Sequence, residues 1–172
     1  MSYARIRAYL VIGFLAVAAI IVVVVSLVRD TQGTAAADDC PAGAVRVNLT
    51  LPDEPSEVKI RVLNGTKTAG LADQVTADFK GRGFVVQKPG KSKTKVKQVA
   101  VIQFGPKTVG AAQWIRAFFL GQAEPVFVPT RTTDVIDVLV GDQYRQLATF
   151  TEVNQSMAQI SSPSLPPGTC TV

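Results

Sequence analysis

Histidine is absent from this chain, and its absence removes the commonest catalytic constellations. Without an imidazole there is no Ser-His-Asp or Cys-His relay and no His-bearing metal set. The two cysteines, Cys40 and Cys170, cannot complete the usual Cys/His shell of a zinc site. Carboxylates remain at Asp73, Asp78, Asp134, Asp137 and Asp142, with spacings that fit solvated helix faces and strand ends better than a paired acid and base. Asp73 and Asp78 stand five apart, too far out of phase to share one helical face. Gly90-Lys91-Ser92 resembles the end of a phosphate-binding loop. Val85 stands where that loop needs a further glycine, and lysines follow instead of a helix. The residues therefore read as a non-enzyme with no cofactor and no metal.

Binding chemistry has three candidates. Between Lys80 and Lys97 lie seven Lys or Arg residues and no acid. Residues 30–172 carry a net charge of +2, so the remainder outside that run stands at −5 and the charge is segregated. Lys88, Lys91, Lys93, Lys95 and Lys97 read either as a solvated, unstructured loop between two strands or as a salt-sensitive contact with anionic polymers or lipid headgroups. No aromatic residues interleave with them, so no nucleic-acid stacking platform is expected.

The turn Asn64-Gly65-Thr66 leads into a helix whose exposed amides can receive an anion, or it serves folding alone. Its Gly65, and less often Asn64, tolerate positive φ. The third candidate is apolar. Phe79, Phe84, Phe104, Trp114, Phe118, Phe119 and Phe127 are expected to converge as core. A surplus at Trp114 and Phe118 would instead line a pocket for an acyl or prenyl chain.

The elements that must position these residues are legible as periodicities. Val58, Ile60 and Val62 alternate with Lys59 and Arg61, the period of a strand with one buried face. Thr68 is expected to cap a helix that carries Leu71, Val75 and Phe79 on one side, ended by Gly81 and Gly83. Phe84-Val85-Val86 begins a second strand. Val99–Phe104, Pro125–Val128 and Val135–Val140 supply three more, with a helix over Pro106–Gly121. Val45, Val47, Leu49 and Leu51 suggest an extra strand before this unit, and residues 150–160 a weak terminal helix. The fold class is α+β: a two-layer sandwich of about five strands in a mixed sheet, with two helices on one face, ordered β-α-β-β-α-β-β.

Attachments flank that domain. From Ala8 to Val28 run 21 residues without a formal charge, long enough as a helix to cross a hydrocarbon core of about 30 Å. A cleaved signal peptide is the rival, but its apolar region is shorter, roughly 7–15 residues. Arg5 and Arg7 place the N-terminus in the cytoplasm. The expected organisation is a cytoplasmic segment 1–7, an anchor helix 8–28, a linker 29–44, a domain 45–148 and a tail 149–172. A Cys40–Cys170 disulfide would tie the two ends of the outer domain together, because domain termini often lie close. Two free thiols are the alternative. Ser161 to Gly168 is proline-rich and expected to run extended toward Cys170.

Val62-Leu63-Asn64-Gly65-Thr66, Ala69-Gly70-Leu71-Ala72 and Gly83-Phe84 together resemble the LytR C-terminal domain, over roughly Glu57 to Leu147. That family comprises small extracytoplasmic modules in envelope proteins of Gram-positive bacteria, especially actinobacteria. Larger LytR-type proteins carry a catalytic phosphotransferase domain before this module, and about 57 residues cannot contain one. The resemblance implies a single-pass plasma-membrane protein, its domain outside the cell, that maintains envelope integrity. The implied partner is a cell-wall polymer or a lipid-linked envelope intermediate. A scaffold that recruits envelope-biosynthesis proteins is the alternative.

Overall fold

A computed structural model describes residues 3–29, 40–160 and 162–172. Residues 30–39 of the expected linker lie outside them. The chain divides into two compact units, one up to Asp39 and one from Cys40 to Val172.

The first unit holds α1 (Tyr3–Arg29), a helix of 27 residues. Its side chains are described continuously from Ile12 to Val23, none of them charged, and Phe14, Leu15, Ile20 and Val22 are exposed. Among the described residues no helix is long and apolar enough to cross a membrane.

The second unit is a mixed α+β domain. Its sheet has six strands: β2 (Lys59–Asn64), β3 (Val85–Val86), β4 (Gly90–Lys91), β5 (Ala100–Phe104), β6 (Glu124–Phe127) and β7 (Val135–Val140). The order is β3-β2-β7-β5-β6, with β4 also on β2. All pairings are parallel except β5 with β7. β7 is central and every residue of it is buried, which explains its unbroken apolar run.

Register decides which face becomes core. Ile60 and Val62 stand opposite Ile136 and Val138, while Val138 and Val140 stand opposite Ile102 and Ala100. These residues share one sheet face and one buried cluster with Val75 and Phe79 of α2 (Leu71–Gly81), Ala112 and Ile115 of α3 (Val109–Ala117) and Val153 of α4 (Phe150–Gln159). The i, i+4 spacing of Leu71, Val75 and Phe79 thus does what its period predicts. α4 begins at Thr149, whose hydroxyl accepts from Glu152 N while Glu152 Oε2 accepts from Thr149 N at 2.7 Å, a reciprocal cap.

Several expectations need correction. The extra strand ends at Val47 and stays outside the main sheet. As β1 (Val45–Val47) it pairs in parallel with β8 (Thr169–Thr171). Beyond it the chain binds α3 through Asn48, which donates to Pro106 O and accepts from Gly110 N. That approach needs a glycine: a β carbon on Gly110 would stand 2.1 Å from Thr50 O. The helix expected over Pro106–Gly121 is shorter, entered by a 3-10 turn at Pro106–Thr108 and ended at Ala117, after which Leu120 and Gly121 turn the chain at φ of 52° and 75°.

Thr68 caps nothing. The N-cap of α2 is Gly70, left-handed at φ 75° and without a side-chain cap. Gly81 lies inside α2, and it is Gly83, at φ 89°, that reverses the chain.

Candidate functional site

The lysine run is not an unstructured loop. After β3 the chain stays on the edge of β2, where Gln87 N donates to Ile60 O, and then pairs again as β4, with Leu63 opposite Gly90 and Asn64 opposite Lys91. Ser92 N donates to Asn64 O, and Val96 N to Gly65 O. Val96 is 3% exposed and anchors the run from below, while Lys88, Lys91, Lys93, Lys95 and Lys97 all reach solvent. Alternation along Lys93–Lys97 thus gives the run an apolar root and a cationic rim.

The turn Asn64-Gly65-Thr66 is closed on itself. Asn64 Oδ1 accepts from Thr66 N at 2.8 Å and from Thr66 Oγ1 at 2.9 Å, and its Nδ2 donates to Thr68 O at 2.6 Å. Thr66 Oγ1 in turn accepts from Thr68 N. These bonds use Asn64 and Thr66 to shape the loop before α2, and they remove Thr68 from the capping position. Gly65 N donates to Val140 O, but Gly65 does not use positive φ. Its reason is space, since a β carbon there would lie 2.7 Å from Val96 Cγ2.

Turn and run meet in one groove of about 510 Å³. Asn64, Thr66, Lys67 and Thr68 form one wall and Pro89 to Ser92 the other, with Gly70 and Ala72 at the start of α2 between them. Two cations, Lys67 and Lys91, stand at the walls, and Asp73 is the acid at the rim. Because Gly70 brings no capping side chain, the first amides of α2 remain available to an anion. Gly65, Lys88, Lys93, Lys95 and Lys97 do not line this groove. Lys67, Ser92 and Gly70 line it and were not among the expected site residues. Only the pairing of β4 with β2 brings the two segments together, and a two-residue strand has no readable period.

Trp114 and Phe118 are occupied elsewhere. Phe118 is fully buried and touches the rings of Phe79, Phe84, Trp114 and Phe150 at centroid distances of 5.2–6.1 Å. Trp114 packs on Phe84 at 5.5 Å. Arg82 stacks its guanidinium over Phe118 and Phe150 and donates to the carbonyls of Ala148 and Leu147, joining the end of α2 to the start of α4. These rings carry the core.

Asp137 is not a solvated strand end. It sits in the middle of β7, 4% exposed, on the sheet face opposite the core cluster. Arg61 Nε and a terminal nitrogen of the same guanidinium donate to it at 2.7 and 2.8 Å, and Arg131 donates at 2.7 Å. Burial pushes the Asp137 carboxyl up, but the hydrogen bonds from Arg61 and Arg131 outweigh it and hold the group below its usual range. Lys59 does the same to exposed Asp134 through a 2.7 Å bond. Both of the Asp137 oxygens are occupied, so this cluster is an ion-pair network and not an acid or base waiting for a substrate.

Cys40 and Cys170 form a disulfide with Cα atoms 5.9 Å apart, joining residues 130 apart in sequence. No cluster of three or more ligating side chains that could hold a metal occurs among the described residues.

No curated protein matches this chain. The structure is similar to the crystal structure of the soluble domain of a conserved hypothetical secreted protein from Mycobacterium marinum. That similarity has a TM-score of 0.53 and 23% identity, and covers 69% of this chain and 82% of the other. At that identity the likeness concerns the fold. The family model for LytR_C, described as LytR cell envelope-related transcriptional attenuator, matches residues 57–144. That span runs from just before β2 to just past the central strand, over half the chain, and the protein belongs to the LytR_C family.

Proposed function

We propose that this chain is an extracytoplasmic, envelope-associated binding module, anchored by α1 with its N-terminus in the cytoplasm. Its ligand is an anionic wall polymer or the phosphate-bearing head of a lipid-linked envelope intermediate. One observation carries this reading: the groove at the start of α2 gathers the Asn64–Gly70 loop and the root of the lysine run, with uncapped helix amides between two cations. Such a site holds a phosphodiester by charge and backbone N–H groups together. The ordered cations Lys93, Lys95 and Lys97 continue the contact along a chain-like ligand. The function is recognition rather than turnover. Uncharged residues from Ala8 to Val28 support the anchor, and a disulfide accords with an oxidising compartment.

The test is affinity of the full chain, reconstituted in nanodiscs, for purified anionic wall polymer. Replacing Lys91, Lys93, Lys95 and Lys97 by Gln is expected to weaken binding by about tenfold at low salt. Unchanged affinity in the quadruple variant would reject the reading. The scaffold reading is favoured by one observation, the sheet face opposite the core, where Leu63, Val101 and Arg61 are only half-buried. It takes precedence if no polymer binds.

A further inference from the structure

Residues Ser162 to Gly168 form a strap between α4 and β8, and three of the seven are proline. Proline fixes φ and lacks an N–H, so such a segment favours an extended helix without internal hydrogen bonds. Pro163 and Pro166 are half-buried, while Ser164, Leu165 and Pro167 are exposed. Strap and body line a groove of about 220 Å³, whose body side includes Phe104, Val109, Arg116 and Phe127. Aromatic-lined grooves are the surface that proline-rich segments dock on.

The strap also lies at an open edge. Among the described residues β6 pairs on one side only, with β5. Val128 N donates inward to Phe104 O, so strand alternation turns the backbone of Pro125 and Phe127 outward. Pro125 offers no N–H there, and the strap lines the same groove as both residues. Once uncovered, an edge of this kind invites pairing with another chain.

The strap is fastened at its far end. Among the described residues its hydrogen bonds are confined to the turn into β8, where Thr169 N and Oγ1 donate to Pro166 O at 3.2 and 2.6 Å. β8 is held by three pairs with β1, by Val172 N donating to Val47 O, and by Cys170–Cys40. This two-stranded sheet is separate from the main sheet, and Cys170 lies outside the core cluster.

We propose that the strap is a disulfide-latched cover. Reduction of Cys40–Cys170 frees β8 and the strap, and it opens the groove of Phe104 and Phe127 to an extended proline-rich segment of a partner. The reductant is a dithiol: its two thiols become one disulfide, and Cys40 and Cys170 each receive a hydrogen as their S–S bond breaks. The occupant's chemistry is that of the proline-rich strap that packs beside the groove now.

The experiment is hydrogen exchange on the full chain in detergent micelles, oxidised and after treatment with a dithiol. A synthetic peptide of sequence SPSLPPG is then added to each form. The expected result is exchange more than about tenfold faster at Thr169–Thr171 on reduction, with Ile60, Ile102 and Val138 still protected. The peptide should slow exchange at Phe127 in the reduced form and do nothing to the oxidised one. Chemical reduction keeps the test independent of whether cysteine variants fold. Unchanged exchange at β8 would overturn the proposal, and so would loss of protection throughout the main sheet, which would make the disulfide a global staple. Failure of the peptide to bind the reduced form would overturn it as well.

Discussion

Gly65 and Val96 touch where no side chain fits between them: a β carbon on Gly65 would stand 2.7 Å from Val96 Cγ2 and 2.8 Å from Val140 O. Val96 is thereby seated against the turn before α2, and the lysine run is held to the domain at its root. Gly141 closes the other side, where a β carbon would meet Gln98 O at 2.0 Å.

Gly65→Ala is therefore expected to destabilise the domain by about 1–3 kcal/mol, the range for overpacking a tight site. Backbone and the branched Val96 form the obstruction, and neither yields as a flexible chain end does. Thermal denaturation checks the magnitude. Faster exchange at the amides of Ser92 and Val96 than at Ile102 would show that the damage starts at the run.

Opening Cys40–Cys170 should lower stability by about 2–4 kcal/mol, since the bond closes a loop of 130 residues and constrains the unfolded chain. Denaturant midpoints of the Cys40→Ser, Cys170→Ser double variant measure it. A midpoint equal to the parent's would mean the bond has no stabilising part.

Asp137 links stability to acid. Its folded pKa lies below the unfolded value, so its contribution is complete above the ordinary carboxylate range. That contribution disappears as pH falls through the lower folded value. Asp137→Asn should remove this dependence and cost about 2–3 kcal/mol at neutral pH. That is less than a fully buried pair, because Arg61 reaches solvent. Unfolding curves from neutral pH to pH about 2 would show a steeper fall for the parent than for the variant.

Phe118→Ala separates core from pocket. With four aromatic neighbours and no exposure, the side chain should cost about 3–5 kcal/mol on truncation. Polymer affinity of the fraction still folded should stay unchanged. A fully stable variant that loses binding to lipid-linked ligands would return Phe118 to the list of binding residues.

Elements with a full period were legible in the sequence. Val135–Val140 emerges with its expected bounds, and the domain is mixed α+β as its periodicities indicate. β4 and β8, two and three residues long, are too short to show alternation and exist because of their partners. The cap failed for a similar reason: Thr68 has the right chemistry, but Asn64 and Thr66 claim its carbonyl and amide first. Asp137 reads as an exposed acid until register sets it beside Arg61 and the loop before β7 delivers Arg131. The candidate groove was half legible. Its turn and its lysine stood out separately, and only the β2–β4 register joins them.

The most direct test is an NMR titration of the unit from Cys40 to Val172, which carries its own core and disulfide. Anionic wall-polymer fragments would be added at low and high salt. The account predicts shifts at Lys67, Gly70, Leu71, Lys91 and Ser92 that shrink as salt rises. Shifts confined to other surfaces, or none with any polymer at low salt, would contradict it.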